Sequence, residues 1–374
     1  MKKKVLLISP FLNLLSKDFG GKDEVVVKII DFYLEENFEI YIFPIKESLL
    51  KKTTWMYKGN IITILPTKGF KSSIKLFYSF FLNFKFSKNY LASFINGEYS
   101  RFFETLKYNF SAIHSLYTVS NYNRFLINLV DGSTKKISHY HHGKSSNYEK
   151  NDLNIFVSEY ERKKQKIEKH SVVIYTAVED QENNNEDFLF KENFYIFLAR
   201  VDERKRLLLL LEAINNIKEE FNSKLIVIGG SLDMKYYETC KQFSIENNLN
   251  VEFTGFVSSQ DKNKYLSSKN CKGIFLPSEE EGFGIAYVEG FLKGLRCIGF
   301  DGVINEFNTI FNEPLGIPFA GINNDSKELS ECIINFQKNY LNPIPTAKIL
   351  EIRKKFSSNI FRDNLRKEII TLIN

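Results

Sequence analysis

The chain reads as an α/β protein of two doubly wound domains facing across a cleft. Length is the first reason, since 374 residues are too many for one ordinary domain and suit two. Rhythm is the second: short apolar runs of strand length alternate with runs of helix length, the pattern of parallel sheets covered on both faces. The third is a polar tract at 181–187, Gln-Glu-Asn-Asn-Asn-Glu-Asp, which reads as a linker. The expected organisation is an N-terminal domain at 1–185, a C-terminal domain at 186–355 and a closing helix at 356–374 packing back toward the first domain.

In the first half, residues 5–8 form a continuous apolar strand, 24–34 a helix and 39–43 a strand of period two. Further strands are expected at 111–116, 136–141, 154–158 and 172–175. The second half alternates more plainly. Strand 194–201 leads to helix 207–221, strand 225–229 to helix 234–247, and strand 251–257 to helix 258–268 with Ser258 as its N-cap. Strand 273–277, helix 284–293 and strand 296–300 follow. Ligands of doubly wound sheets bind beyond the carboxyl ends of the strands. The loops after Ile8, Val201, Val257, Pro277 and Phe300 are therefore where function is sought.

With 43% hydrophobic and 26% charged residues the composition excludes disordered and fibrous classes. Cys240, Cys271, Cys297 and Cys332 show no C-x-x-C spacing. The basic start Met1 to Lys4 precedes an apolar run broken by Ser9, Pro10 and Asn13, which is unlike a signal peptide. A reducing cytoplasm is expected.

The most informative segment is 278–290, Ser-Glu-Glu-Glu-Gly-Phe-Gly-Ile-Ala-Tyr-Val-Glu-Gly. It begins where a buried strand ends and passes two glycines before entering a helix. Glycine lets the backbone approach a ligand, and the free N–H groups at a helix start, with the positive end of the dipole, suit a diphosphate. Glu281 stays in the loop, whereas Glu289 lies some 7–8 Å along the helix. Carboxylates accept hydrogen bonds from hydroxyls, so one could meet a ribose and the other a sugar.

Glu281, seven residues and then Glu289 resembles the E-x7-E motif of family-4 retaining glycosyltransferases, which have the GT-B architecture of two Rossmann-like domains. Residues 199–206, Ala-Arg-Val-Asp-Glu-Arg-Lys-Arg, resemble that family's G-R-x-x-x-x-K-G element, with Ala199 and Arg206 where glycines are usual. The resemblance implies that Arg200 and Lys205 neutralise a nucleotide diphosphate and that Glu281 binds donor-sugar hydroxyls. It further implies that Glu289 binds ribose hydroxyls and that the amides of Phe283, Gly284 and Ile285 hold phosphate. The strand 251–257, ending at Val257, stands where the family's following loop meets the base.

In the first half, Phe19-Gly-Gly-Lys-Asp-Glu24 is similar to the family's glycine-rich acceptor-side loop, where a side chain at Gly20 or Gly21 would crowd a sugar. Residues 135–143, Lys-Lys-Ile-Ser-His-Tyr-His-His-Gly, resemble the strand whose terminal histidine faces the reacting sugar. His141 aligns best, with His142 and His139 as alternatives. Residues 175–180, Tyr-Thr-Ala-Val-Glu-Asp, depart from the P-N-G-V-D of many relatives. Clustered histidines also suggest a metal, but His139 and His141 share a strand face, His142 lies at its end and no carboxylate cluster completes a set. No D-x-D occurs, so fixed cations and helix amides are expected in place of a metal.

The resemblance thus implies an enzyme without cofactor that moves a hexose, with retention, from a nucleotide-diphosphate sugar, UDP-hexose being favoured. The acceptor would be a glycan or a lipid-linked glycan in bacterial surface polysaccharide, lipopolysaccharide or capsule assembly. The rivals are a nucleotide-sugar epimerase of the same architecture and an inactive partner of a glycosyltransferase, the latter supported by Ala199 and Arg206.

Charge is uneven. Residues 1–180 hold 27 Lys and Arg against 18 Asp and Glu, and 181–374 hold 24 against 27. Between Ser48 and Gly97 stand eight lysines and no acid, among aromatics that include Trp55, Tyr57, Phe77, Phe80, Phe81 and Phe84. Rings and lysines suit an anionic membrane surface, and nucleic acid is not the expected partner. The alternative is a solvated lysine face over a packed aromatic core. Lys71, Lys75, Lys85 and Lys88 interrupt any window near the roughly 20 apolar residues of a membrane span. A peripheral place on the inner face of the cell membrane is expected.

Overall fold

A computed structural model describes residues 2–9, 21–44, 54–64, 109–116, 132–141, 151–167, 169–180, 190–231, 233–321 and 325–374. Its contacts divide the chain into two compact units. One is Met1–Tyr175 with Phe361–Asn374, and the other is Thr176–Ile360.

The first unit holds β1 (Lys4–Ser9), β2 (Glu39–Pro44), β3 (Thr54–Tyr57), β4 (Asn60–Ile64), β5 (Ala112–Leu116), β6 (Lys135–Tyr140), β7 (Leu153–Phe156) and β8 (Ser171–Val173). Among the described residues these form one sheet in the order β3-β4-β2-β1-β5-β6-β7-β8, parallel except for the β3/β4 hairpin. Val5, Leu6, Leu7 and Ile8 are fully buried because β1 is central, flanked by β2 and β5. Helix α1 (Gly21–Glu35) buries Val25, Val26, Ile29, Ile30, Phe32 and Tyr33. It starts three residues before the expected 24, so Gly21 opens a helix instead of lying in a loop, and Gly20 lies outside the described residues. The β3/β4 hairpin corresponds to none of the expected elements. Its turn residues Lys58 and Gly59 both have positive φ, the conformation that matches the twist of a two-residue hairpin. Helix α2 (Glu159–Gln165) follows β7, capped by Ser158 Oγ accepting from the Glu161 amide at 3.0 Å.

The second unit alternates β9 (Phe194–Leu198), α3 (Leu207–Asn216), β10 (Lys224–Ile228), α4 (Met234–Glu246), β11 (Val251–Gly255), α5 (Ser259–Ser267), β12 (Cys271–Leu276), α6 (Ile285–Leu292), β13 (Cys297–Phe300), α7 (Asp301–Phe311), β14 (Gly316–Phe319), α8 (Ser326–Asn339) and α9 (Thr346–Lys355). The strands form a parallel sheet in the order β11-β10-β9-β12-β13-β14. The chain winds outward from β9 to β11 and then returns across β9 to β12. Strand order reverses between β9 and β12, and their carboxyl ends flank the crevice where such sheets bind ligands.

Continuous apolar strands fit burial on both faces, as Phe194, Ile196 and Phe197 at 0% exposure show. Leu207, Leu210 and Leu211 bring α3 into the core, and Phe336 of α8 meets the Phe275 ring edge-on at 5.2 Å. Two expected elements are shorter. The strand expected to reach 201 ends at Leu198, where the chain turns into a 3-10 turn at Glu203–Lys205, and the helix expected to reach 221 ends at Asn216. The final helical segment begins at α10 (Ser358–Leu365), and its residues from Phe361 belong to the first unit. There Arg362 and Arg366 pair with Glu35 and Glu36 at the end of α1 at 3.3 and 2.7 Å.

Among the described residues no helix is long and apolar enough to cross a membrane. Lys71, Lys75, Phe77, Phe80, Phe81, Phe84, Lys85 and Lys88 lie outside the described residues, as does the linker tract 181–187.

Candidate functional site

The loops after β9 and β12 are built against each other. Gly229, at the end of β10, has φ +142, and a Cβ there would lie 2.0 Å from the Ala199 carbonyl oxygen. Only glycine permits that approach, which lets Ala199 N–H donate to Ile228 O at 3.2 Å and Val201 N–H to Gly230 O at 2.9 Å. The chain then turns through Glu203–Lys205, and the Glu279 amide donates to Arg204 O at 2.8 Å. That bond ties the two loops together. Lys205 Nζ pairs with Glu281 Oε1, and Ser278 Oγ donates to the same oxygen at 3.0 Å. The two side chains are only 18% and 15% exposed, so the pair is partly screened from water and its geometry is held from both sides.

Helix α6 starts at Ile285, with Gly284 as its cap at φ +76. A Cβ on Gly284 would sit 2.3 Å from the Tyr287 ring, so conformation and space both require glycine. The Tyr287 hydroxyl donates to Leu276 O at 2.9 Å and accepts from the Phe300 amide at 3.0 Å, pinning the ends of β12 and β13 to the first turn of α6. Burial holds this phenol well above its ordinary pKa, with the neighbouring Glu281 charge adding to the effect, so it stays protonated. Phe283 is buried, edge-on to Phe307 at 5.6 Å and to Phe356 at 5.3 Å. Its ring is an anchor in the core. Gly284 supplies no side-chain cap, and the positive end of the helix dipole lies at this helix start.

Glu289, in the middle of α6, meets Lys262 of α5 at 2.5 Å. Nothing in the sequence pattern singles out Lys262, because a lysine on a short polar helix is ordinary. Arg200 turns instead onto Asp202, two residues away, with Nη2 2.9 Å from Oδ2. Val257 is half-buried just past β11, beside Phe256, which is 72% exposed with its ring against Gly230. Lys205, Glu281, Phe283, Gly284, Ile285, Glu289, Arg200 and Val257 all belong to the second unit.

In the first unit, His141 directly follows β6 and stacks on His139 at 4.4 Å, and His139 stacks on His114 of β5 at 5.5 Å. Tyr33 of α1 closes the row, its hydroxyl 3.0 Å from His114 Nδ1. Burial pushes the His139 imidazole down to about 3, and His114 well below its ordinary value for the same reason, with His139 beside it as the lesser cause. Both are neutral packing groups at neutral pH. His142 lies outside the described residues. Among the described residues no group of three or more His, Cys, Asp or Glu side chains could hold a metal.

Residues 179–343 match the family model described as "Glycosyl transferases group 1". This stretch is a group 1 glycosyltransferase domain. The chain is 31% identical over 145 residues to an uncharacterised glycosyltransferase of Methanocaldococcus jannaschii, a match covering 37% of each chain. The chain thus spans well under half the length of the curated relatives it matches. Solved structures match it over nearly its whole length. A sucrose-phosphate synthase from Thermosynechococcus elongatus superposes with a TM-score of 0.76 at 15% identity, covering 99% of both chains. An Anabaena protein in complex with UDP-glucose gives 0.69 at 13%, covering 98% of this chain and 99% of that one. At such identities the likeness shows the fold, which is that of the GT-B glycosyltransferases with two Rossmann-like domains.

Proposed function

We propose that the chain is a retaining, metal-independent hexosyltransferase that uses a nucleotide-diphosphate sugar. The observation that carries this reading is the pair of largely shielded carboxylates, Glu281 and Glu289, each held by a lysine, in the loop before and in the middle of a helix that starts at the reversal of strand order. The helix amides at 283–285 suit a diphosphate, and carboxylates on either side suit hydroxyls of sugar and ribose. The Anabaena relative of this fold was solved with UDP-glucose, which favours UDP-hexose here.

In the proposed reaction the bond from the anomeric carbon to the diphosphate oxygen breaks and its electron pair goes to the leaving oxygen. Arg200, Lys205 and the amides of Phe283, Gly284 and Ile285 stabilise that charge by preorganised electrostatics. An acceptor hydroxyl attacks on the same face and gives its proton to the leaving phosphate, so configuration is retained without a protein base. Glu281 holds the donor sugar, and the resemblance assigns the orienting role to His141 and the acceptor-side room to Gly20 and Gly21. The acceptor is a glycan or a lipid-linked glycan of bacterial surface polysaccharide assembly, reached by cytoplasmic protein at the inner membrane face.

Donor hydrolysis without acceptor tests the reading. UDP-hexose should be cleaved slowly to sugar and UDP, undiminished by chelator, and Lys205→Ala should slow cleavage by tens to thousands of times, as for loss of one preorganised donor at about 2.7–4 kcal/mol. An isomerised donor, a requirement for manganese or a full-speed Lys205→Ala protein contradicts it.

A further inference from the structure

We propose that Lys262 is a positioning residue for the nucleoside end of the donor, its ammonium holding the Glu289 carboxylate in the orientation that receives ribose hydroxyls. The inference rests on the reading of Glu289 as the ribose ligand and adds a residue which that reading lacks. Lys262 Nζ lies 2.5 Å from Glu289 Oε1, across from α5 to α6, and the two side chains are 22% and 17% exposed. A contact this sheltered restrains a side chain more than an exposed pair does.

The neighbourhood leaves little other purpose for this lysine. Ser258 caps α5 by accepting from the Asp261 amide at 3.0 Å, which fixes the opening turn that carries Lys262. Asp261, the acid beside it in sequence, pairs with Lys264 at 3.2 Å and takes a hydrogen bond from Ser258 Oγ at 2.7 Å. A cation in the opening turns of a helix works against the helix dipole, so helix stability does not account for it. At the pocket the charge does account for it. Glu289 stands on the same helix whose start is to receive a diphosphate, and an uncompensated carboxylate there would repel the anion. Lys262 cancels that charge, while the several lone-pair sites of a carboxylate leave acceptor capacity for hydroxyls. Lys205 stands to Glu281 in the same relation.

The test is calorimetric titration of full-length wild type, Lys262→Met, Lys262→Gln, Lys262→Arg and Glu289→Gln with UDP, GDP and ADP, then with the 2′-deoxy and 3′-deoxy forms of the tightest binder. Wild type should lose about tenfold or more in affinity when the hydroxyl facing Glu289 is missing. Lys262→Met and Lys262→Gln should bind the parent nucleotide roughly tenfold more weakly and lose most of that discrimination, and Lys262→Arg should restore both. Thermal melting identifies which neutral variant is folded, and either suffices. If a folded neutral variant keeps wild-type affinity and discrimination while Glu289→Gln loses them, Lys262 has no positioning role and the ribose reading stands. If Glu289→Gln also keeps both, or wild type binds none of the three nucleotides, the ribose reading falls and this inference with it.

Discussion

Arg206 holds the left-handed backbone conformation, φ +55 and ψ +38, between the 3-10 turn and α3. For a residue with a Cβ this costs about 1–2 kcal/mol, which explains why the related sequence element carries glycine there. Its guanidinium recovers little, with Nη1 3.4 Å from Ala320 O. Glycine would remove the strain but add freedom to the unfolded chain worth about 0.4–1 kcal/mol. Arg206→Gly should therefore stabilise the protein by about 0.5–1 kcal/mol, read as a higher urea midpoint at an unchanged slope. A lower midpoint would mean that the Arg206 side chain matters more than its backbone. The departure from glycine at this position leaves the Lys205–Glu281 pair in place, which weakens the case for an inactive partner protein.

At the scale of elements, β5 and β6 place His114 and His139 on one buried face against α1. The folded-state pKa of His139, about 3, lies below the roughly 6.5 of an unfolded chain, so between these values the unfolded state binds more protons. Stability is then full above about pH 6.5 and declines as pH falls toward 3. His139→Phe, which keeps an aromatic ring in the stack, should flatten the decline by about 1.4 kcal/mol per pH unit within that window. Identical pH slopes for the two proteins would refute a neutral His139. The continuous apolar run at 225–229 announces a parallel strand, because burial on both faces leaves an apolar signature. Glu281 and Glu289 are legible through their spacing about a helix start. That Lys205 meets Glu281 across 76 positions is not, since pairing across a sheet depends on strand order and leaves no local periodicity. Lys262 and the Tyr287 staple were hidden for the same reason. The β3/β4 hairpin was obscured by the lysine- and aromatic-rich tract around it, which has no clean two-residue alternation.

For the whole molecule, the charge excess lies in residues 1–180, and the acid-free tract from Ser48 to Gly97 concentrates it. Its described part, the β3/β4 hairpin, exposes Met56 at 64% and Ile61 at 63%. Two weak signals together, apolar rings and lysines, bind an anionic bilayer where one alone is marginal. The protein should co-sediment with liposomes containing anionic lipid at low salt, less so as screening shortens the electrostatic reach to about 8 Å. Changing Lys71, Lys75, Lys85 and Lys88 to Gln should abolish sedimentation. Wild type remaining in the supernatant while it transfers sugar to a soluble acceptor would rule out membrane docking.

Under the proposed function, Glu289 grips the ribose of a nucleotide sugar at the reversal of strand order in the second unit. Calorimetric titration of UDP into wild type and Glu289→Gln tests it most directly. The account predicts binding to wild type and a loss of about 1.5–3 kcal/mol in the variant, the range for a hydrogen bond to a charged group. Equal affinity for the two proteins would contradict it.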